Sequence, residues 1–261
     1  MTYLRLFWVF FRVSALGELA YRVNFFLQLL ESLIDLGTAL AGLAVIFSYT
    51  DSLDGWRPDD VMALVGVFFL MGGAIRLVIQ PSMENLIESV RDGTLDFTLT
   101  KPEDAQLLVS IQRVEIWKLT DFALGAGVLA LALARLGTRI GIWQAAAFAT
   151  ALVAGGAIVY SFWLILATLA FWFVRVENIL TIFQSMYEAG RWPVTIYPGW
   201  LRFALTFLVP VAFATTVPAQ ALAGRLTWET LLGACTLALV LLTTSRFIWL
   251  AGMRRYSGAS A

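Results

Sequence analysis

The sequence predicts an all-α polytopic membrane protein with six transmembrane helices, and three observations carry that prediction. Six long apolar stretches lie between Phe25 and Trp249, separated by short polar segments. A bilayer core takes about 20 apolar residues per spanning helix, and Val61 to Gln80 or Trp228 to Trp249 supplies that length. The chain is 60% hydrophobic and 14% charged, with a mean hydropathy of +0.80. Its 18 basic and 18 acidic side chains are too few to coat a water-soluble chain of 261 residues. The third observation is the distribution of Lys and Arg, which falls mostly on one side of an alternating path.

The elements follow in chain order. Residues 3–17 alternate aromatic and aliphatic side chains, and read as an interfacial amphipathic helix. Tyr3, Phe7, Phe10 and Phe11 then sit among lipid headgroups, with Arg5 and Arg12 toward anionic lipid or water. The alternative is that this stretch is the frayed start of the first span. Glu18 and Arg22 interrupt before the long apolar run, so Met1 to Gly17 does not read as a cleavable signal. The predicted spans are 24–48, 61–81, 115–134, 143–171, 202–222 and 228–250. Pro58, after the polar Asp54 to Arg57 stretch, marks the start of the second helix. Trp56, Trp143, Trp200, Trp228 and Trp249 lie near predicted helix ends, where indole rings anchor at the interface.

Orientation comes from charge. With the N-terminus inside, the inner segments hold Arg5, Arg12, Arg22, Arg91, Lys101, Arg113, Lys118, Arg175, Arg191, Arg202, Arg246, Arg254 and Arg255. The outer segments hold only Arg57, Arg135, Arg139 and Arg225, and Arg76 lies within a span. The positive-inside rule therefore places both termini on the cytoplasmic side. The outer loop around Asp51, Asp54, Asp59 and Asp60 is acidic, as an ordinary solvated turn also is.

Several chemistries are excluded. Histidine is absent and the lone cysteine, Cys235, lies inside the last apolar run, which removes His-dependent metal sites, Ser-His-Asp hydrolysis and an intrachain disulfide. No Gly-x-x-x-x-Gly-Lys-Ser/Thr phosphate loop is present, so this chain carries no nucleotide cradle of that kind. No catalytic site is read on it, and no nucleic acid partner is expected.

The longest inner loop, 82–114, is the most informative. Met83, Leu86, Ile87 and Val90 recur at helical spacing opposite Glu84, Glu88 and Arg91, which describes a short amphipathic helix stopped by Gly93. Such a helix suits docking against a membrane surface or a cytoplasmic partner. The run Gly93-Thr94-Leu95-Asp96, followed by Leu99 and Lys101-Pro102, resembles the cytoplasmic signature of ABC-2 type export permeases. The resemblance extends to the N-terminal Phe-Arg segment, Gly55-Trp56, Glu177-Asn178, Tyr197-Pro198, Phe207-Leu208-Val209-Pro210, Pro218-Ala219 and Tyr256-Ser257-Gly258.

That resemblance implies one permease domain over 1–261, the transmembrane subunit of an ATP-driven exporter in a bacterial or archaeal inner membrane. Partners are then cytoplasmic ABC ATPase subunits carrying Mg-ATP, a second copy or similar permease, and membrane lipid. In such permeases the loop after the second span contacts the ATPase. Carried to this chain, the coupling helix is Met83 to Asp92, with Glu84, Glu88 and Arg91 as polar contacts. Gly93 permits the following turn, and Leu95, Asp96, Leu99 and Pro102 lie in the signature that shapes its packing.

Charged residues in the spans come next. Glu31 and Asp35 share a face of the first helix, and the expectation is that they face protein, water or a translocation route, paired with Arg76. Glu177 and Asn178, with Gln184, Glu188 and Arg191, fall on the inner connection before the fifth span, as conformational support. Pro210 and Pro218 are expected to kink or end the fifth helix. Ala154, Gly155, Gly156 and Ala157, with Gly224 and Gly233, offer sites of close helix packing. Three alternatives stay open: a secondary transporter using Glu31, Asp35 or Arg76 as an ion site, a non-transporting assembly factor, and an integral membrane enzyme.

Overall fold

Each apolar run folds as a helix, because a chain in hydrocarbon has to satisfy its own backbone hydrogen bonds. The computed structural model describes residues 8–13, 22–136, 141–173 and 177–256, and the side chains of 22–24 and 177–179 are left out of the description. Residues 8–13 are helical; the rest of the interfacial helix expected over 3–17 lies outside the described residues. Phe10 of this segment sits under the Lys101 ammonium, 5.8 Å from its ring centroid.

Helix α1 is Arg22–Tyr49. Helix α2, Pro58–Ala74, starts at the expected proline, and the Arg57 N–H donates to the Asp60 carboxylate at 3.1 Å. A π-helical turn, Ile75–Ile79, then carries the chain directly into α3, Gln80–Arg91. The short amphipathic helix expected from the sequence is thus the continuation of the second span, one 34-residue helix from Pro58 to Arg91. The short helices α4 (Asp96–Leu99) and α5 (Ala105–Ile111) lead to α6, Leu119–Leu136, and then α7, Ile142–Thr168. After α8, Glu177–Tyr187, come α9 (Gly199–Phe203), a second π-helical turn (Ala204–Leu208), α10 (Val211–Ala214), α11 (Thr216–Leu222) and α12 (Trp228–Met253).

Five helices are long and apolar enough to cross a membrane, and a sixth span results if Gly199–Leu208 and Val211–Leu222 form one broken crossing. The two halves meet at 71°, a sharp bend inside the stretch expected as the span 202–222. Pro210 lacks a backbone N–H and the Val209 backbone is extended, which together interrupt the ladder there.

Glycines set the tightest helix pair. A Cβ on Gly66 would stand 2.7 Å from the Leu129 backbone nitrogen, one on Gly73 2.6 Å from that of Phe122, and one on Gly125 would collide with Leu70. Helices α2 and α6 therefore touch backbone to backbone along two turns, which only the absence of a side chain permits. Of the small residues singled out in the sequence, Gly155 does pack against the Phe213 carbonyl, while Gly156, Gly224 and Gly233 face open space. The residues around 66, 73 and 125 escaped notice because a glycine's neighbour is set by the fold, not by its own helix.

Two expectations on tryptophan change. Trp143, Trp200 and Trp228 are exposed as interfacial anchors should be, but Trp56 and Trp249 are each only 1% exposed. Trp56 lies beneath the Arg225 guanidinium, 5.2 Å away, and Trp249 packs edge-on to Phe171 at 5.8 Å. In the connection before the fifth span, helix α8 packs its apolar side into the bundle with Leu180, Phe183 and Tyr187 buried, and the Tyr187 hydroxyl donates to the Phe68 carbonyl at 3.0 Å. Trp192 then reaches Gly42 of α1.

Candidate functional site

The α2–α3 helix and its supports form the first part of the site. On α3, Met83, Leu86 and Ile87 are buried and Val90 is half-buried, while Glu84 is half-buried and Glu88 and Arg91 are exposed. The amphipathic split is the one the residue spacing dictates. Gly93 ends the helix with φ +70°, a left-handed conformation that favours glycine, and lets the Thr94 and Leu95 N–H groups donate back to the Ser89 carbonyl. Leu95 is buried, Asp96 opens α4, and Pro102 is exposed.

The base of α3 is tied down on two sides. The Ser82 hydroxyl donates to the Arg113 carbonyl at 2.9 Å, and Glu115 N–H donates to Leu77 O at 2.9 Å. Burial pushes the Glu115 carboxyl above its ordinary value. Farther along, Arg246 of α12 grips Asp104 with both terminal nitrogens, at 2.6 and 3.1 Å, and donates to the Gln106 side-chain oxygen at 2.9 Å. Ser110 of α5 meets the Tyr160 hydroxyl of α7 at 2.8 Å. The segment after α3 is thereby fastened to α7 and α12. The sequence reading missed Asp104, Gln106, Ser110 and Tyr160; the available signal was Arg246, a cation inside an apolar run that requires a partner.

The Arg246 guanidinium holds the Asp104 carboxyl below its ordinary value of 3.8. A depressed folded-state value means the contact stabilises fully above the ordinary value and is lost as pH falls through the folded one. Wild type should therefore unfold at a higher temperature than Asp104→Asn near neutrality, and the gap should close below pH 3.8. A gap that stays constant with pH in detergent melts would remove the ion pair as its cause.

The second part of the site lies deeper. Arg76, on the π-helical turn, pairs with Asp121 at the start of α6 at 3.2 Å, with side-chain exposures of 18% and 5%. The Ser32 hydroxyl of α1 donates to the same Asp121 carboxylate. This corrects the expected pairing of Arg76 with Glu31 or Asp35. Glu31 is exposed and Asp35 half-buried, and among the described residues neither makes an ion pair. Ser32, one residue on from Glu31, is the one on the face turned to α6. Asp121 escaped the sequence reading because its place in the first turn of a span suits an ordinary helix start.

Helix α8 completes the arrangement. Arg191 pairs with Glu188 at 2.8 Å, and its guanidinium lies 5.4 Å from the Phe68 ring centroid. Arg191 thus leaves the set of surface charges used for orientation. The Gln80 amide donates to Glu84 at 2.9 Å and to Gln184 at 3.4 Å, which links α3 to α8. Glu177 and Asn178 open α8, but their side chains lie outside the described residues. Pro210 and Pro218 are both buried, the first at the bend and the second within α11. Among the described residues no group of His, Cys, Asp and Glu has the grouping to hold a metal ion.

A family model described as ABC-2 family transporter protein matches residues 33–260, from the middle of α1 past the end of α12. The chain belongs to this family. Apart from Glu31 and Ser32, the residues of the site just described fall inside the ABC-2 match. It covers the Gly93 to Pro102 run, the Asp104 and Arg246 contact and the two prolines of the bent segment. No curated protein and no solved structure shows significant similarity to the chain. As an ABC-2 family transporter protein it is a multi-span helical membrane protein of the permease class.

Proposed function

We propose that this chain is the membrane subunit of an ATP-binding cassette exporter in a bacterial or archaeal inner membrane. A separate cytoplasmic ATPase hydrolyses Mg-ATP, and this chain converts that subunit's motion into outward translocation. In this reading 1–261 is one permease domain, six spans include the bent pair as the fifth, and both termini and the 82–114 region are cytoplasmic. The observation that carries the proposal is the unbroken helix from Pro58 to Arg91 in a member of the ABC-2 family. A push on the side of α3 that carries half-buried Glu84 and exposed Glu88 and Arg91 is delivered along a continuous helix to the Arg76 and Asp121 level, without an intervening loop to absorb it. Gly93, Asp96 and Pro102 shape the end of that helix, and the Asp104 to Arg246 contact passes displacement to α12.

The functional unit pairs this chain with a second copy or a similar permease. What supports that pairing is the outer surface of α1, where Phe26, Leu27, Leu30, Leu33 and Ile34 are exposed along most of the helix. Glu177, Asn178, Pro210 and Pro218 serve the conformational transition around the bend, and Glu31 and Asp35, on the α1 surface, border the translocation route.

The test is affinity purification of the intact protein in mild detergent, with identification of stoichiometric partners and assay of ATP hydrolysis. Recovery of an ABC ATPase is the expected result; membrane flux by the protein alone, with no ATPase bound, overturns it. Replacing Glu84 and Glu88 together by Lys reverses the polar face without touching an apolar span. Capture of the ATPase should fall about tenfold or more while membrane insertion is kept, since interfacial charge reversal acts on association. Unchanged capture and transport would remove α3 as the docking element.

A further inference from the structure

Two polar stripes face each other across α3 and α8, running from exposed Glu88 and Thr181 inward to Arg76 and Gln184. On the α2–α3 helix Arg76, Gln80, Glu84 and Glu88 follow at four-residue spacing; on α8 and its extension Thr181, Gln184, Glu188 and Arg191 follow at three or four. The Gln80 to Gln184 hydrogen bond joins them midway. Toward the free end of α3 the stripes border a groove lined by Glu84, Ile87, Glu88, Leu180 and Thr181. Toward the bundle interior they border a second space, walled by Arg76, Gln80, Gln184 and Glu188 and closed by Trp163 of α7. The two spaces lie on either side of the Gln80 to Gln184 bridge, an outer one toward the end of α3 and an inner, blind one at the Arg76 level.

The blind end carries unmet hydrogen-bonding capacity. Arg76 Nε, Trp163 Nε1 and Gln80 Oε1 are all buried and lack a hydrogen-bond partner. Trp163 as a whole is only 1% exposed. The residues that carry these two N–H donors and one carbonyl acceptor all line a space only wide enough for an atom the size of a water oxygen. A metal cation meets two donors there, and an anion meets Gln80 Oε1 and the nearby Glu188 carboxylate. A hydroxyl oxygen fits the set: it accepts from Arg76 and Trp163 and donates its proton to Gln80.

We propose that the two spaces join into one hydrophilic furrow between α3 and α8, whose blind end binds one hydroxyl oxygen, supplied by water or by a hydroxylated solute. The side from which it fills rests on the orientation proposed above; its hydration does not. Trp163 is the residue that recognises the oxygen, and the Gln80 to Gln184 bridge is the gate that an approaching ligand passes. Because Gln80 sits where the π-helical turn becomes α3, occupancy of the site bears directly on that joint.

The first experiment is radiolytic water footprinting of the intact protein in lipid nanodiscs. Trp163 should be oxidised well above Trp249, which is equally buried but lies away from the furrow. The second uses the single native cysteine, replaced as Cys235→Ala. Gln184→Cys should then react with a small water-soluble maleimide about tenfold faster than Val240→Cys on the exposed face of α12, because only a hydrated thiol ionises readily. Labelling of Gln184→Cys in the presence of glycerol, against betaine at equal osmolality, separates the sources of the oxygen. Slowing by glycerol alone, abolished by Trp163→Phe, identifies a hydroxylated solute; equal rates in both identify water. In intact cells, reaction of Gln184→Cys only from outside keeps the furrow and overturns the cytoplasmic placement of α3. Trp163 as protected as Trp249, with Gln184→Cys as slow as Val240→Cys, overturns the proposal.

Discussion

Gly125→Val is expected to abolish folding of this protein. The new side chain would grow into the Leu70 backbone on the facing helix, and a backbone inside a packed bundle has no rotamer to yield. Over-packing in a well-filled core costs about 1–3 kcal/mol where side chains relax, so a backbone collision should exceed about 3 kcal/mol. The pairing of α2 with α6 is also what places Asp121 opposite Arg76, so the damage reaches the candidate site. The measurement is fluorescence-detected size exclusion of a tagged protein in mild detergent, where the monodisperse peak should be lost. Gly127→Ala is the matched control, because nothing lies within 4 Å of a Cβ there. It should elute as wild type and gain up to about 1 kcal/mol from helix propensity. A normal peak for Gly125→Val would show that α2 and α6 are not in backbone contact.

Breaking the Arg76 and Asp121 pair should have the second largest effect. Asp121→Leu leaves the guanidinium facing α6 with no counter-charge, and losing one partner of a buried pair costs about 3–5 kcal/mol. Most of that cost is the uncompensated charge, not the lost attraction. The double variant Arg76→Leu with Asp121→Leu should therefore recover a large part of the stability lost by either single change. Thermal unfolding of the four proteins in the same detergent gives the coupling energy directly. Additive losses would mean that the two side chains act independently. Glu31→Gln and Asp35→Asn, in contrast, should change stability by less than about 1 kcal/mol, since neither carboxylate has an ion-pair partner among the described residues.

Some of the candidate site was legible in the chain. The Met83, Leu86, Ile87 and Val90 stripe and the Gly93 stop are local features, and local periodicity reports them faithfully. Pro58 and Pro210 act through the missing N–H of their own residue, so the start of α2 and the bend near α10 were foreseen in kind. The partner of Arg76 was not foreseen, because choosing between Asp35 and Asp121 depends on how α1 is rotated and which helix faces α2. The Asp104 and Arg246 contact joins residues far apart in the chain, and no spacing rule connects them. On the extension of α8 the Glu188 and Arg191 pair is a local i,i+3 contact, but the link from Gln184 to Gln80 on α3 joins residues 104 positions apart, which no local pattern reports.

Sequence alone determined that the chain lives in a membrane, that its apolar runs are helices, that α3 is amphipathic, and that the chain resembles ABC-2 permeases. These properties rest on composition and on the helix repeat, both of which are set by neighbours within a few residues. Only the tertiary structure decided that α3 is the end of the second span, that glycines 66, 73 and 125 press α2 onto α6, that Asp121 answers Arg76, and that Trp163 shares a small space with Arg76 and Gln80. Each of these depends on the rotation and depth of one helix against another. In a bundle where nearly every face is apolar, hydrophobic pattern carries little information about either, and packing of small residues and pairing of the few charges decide them.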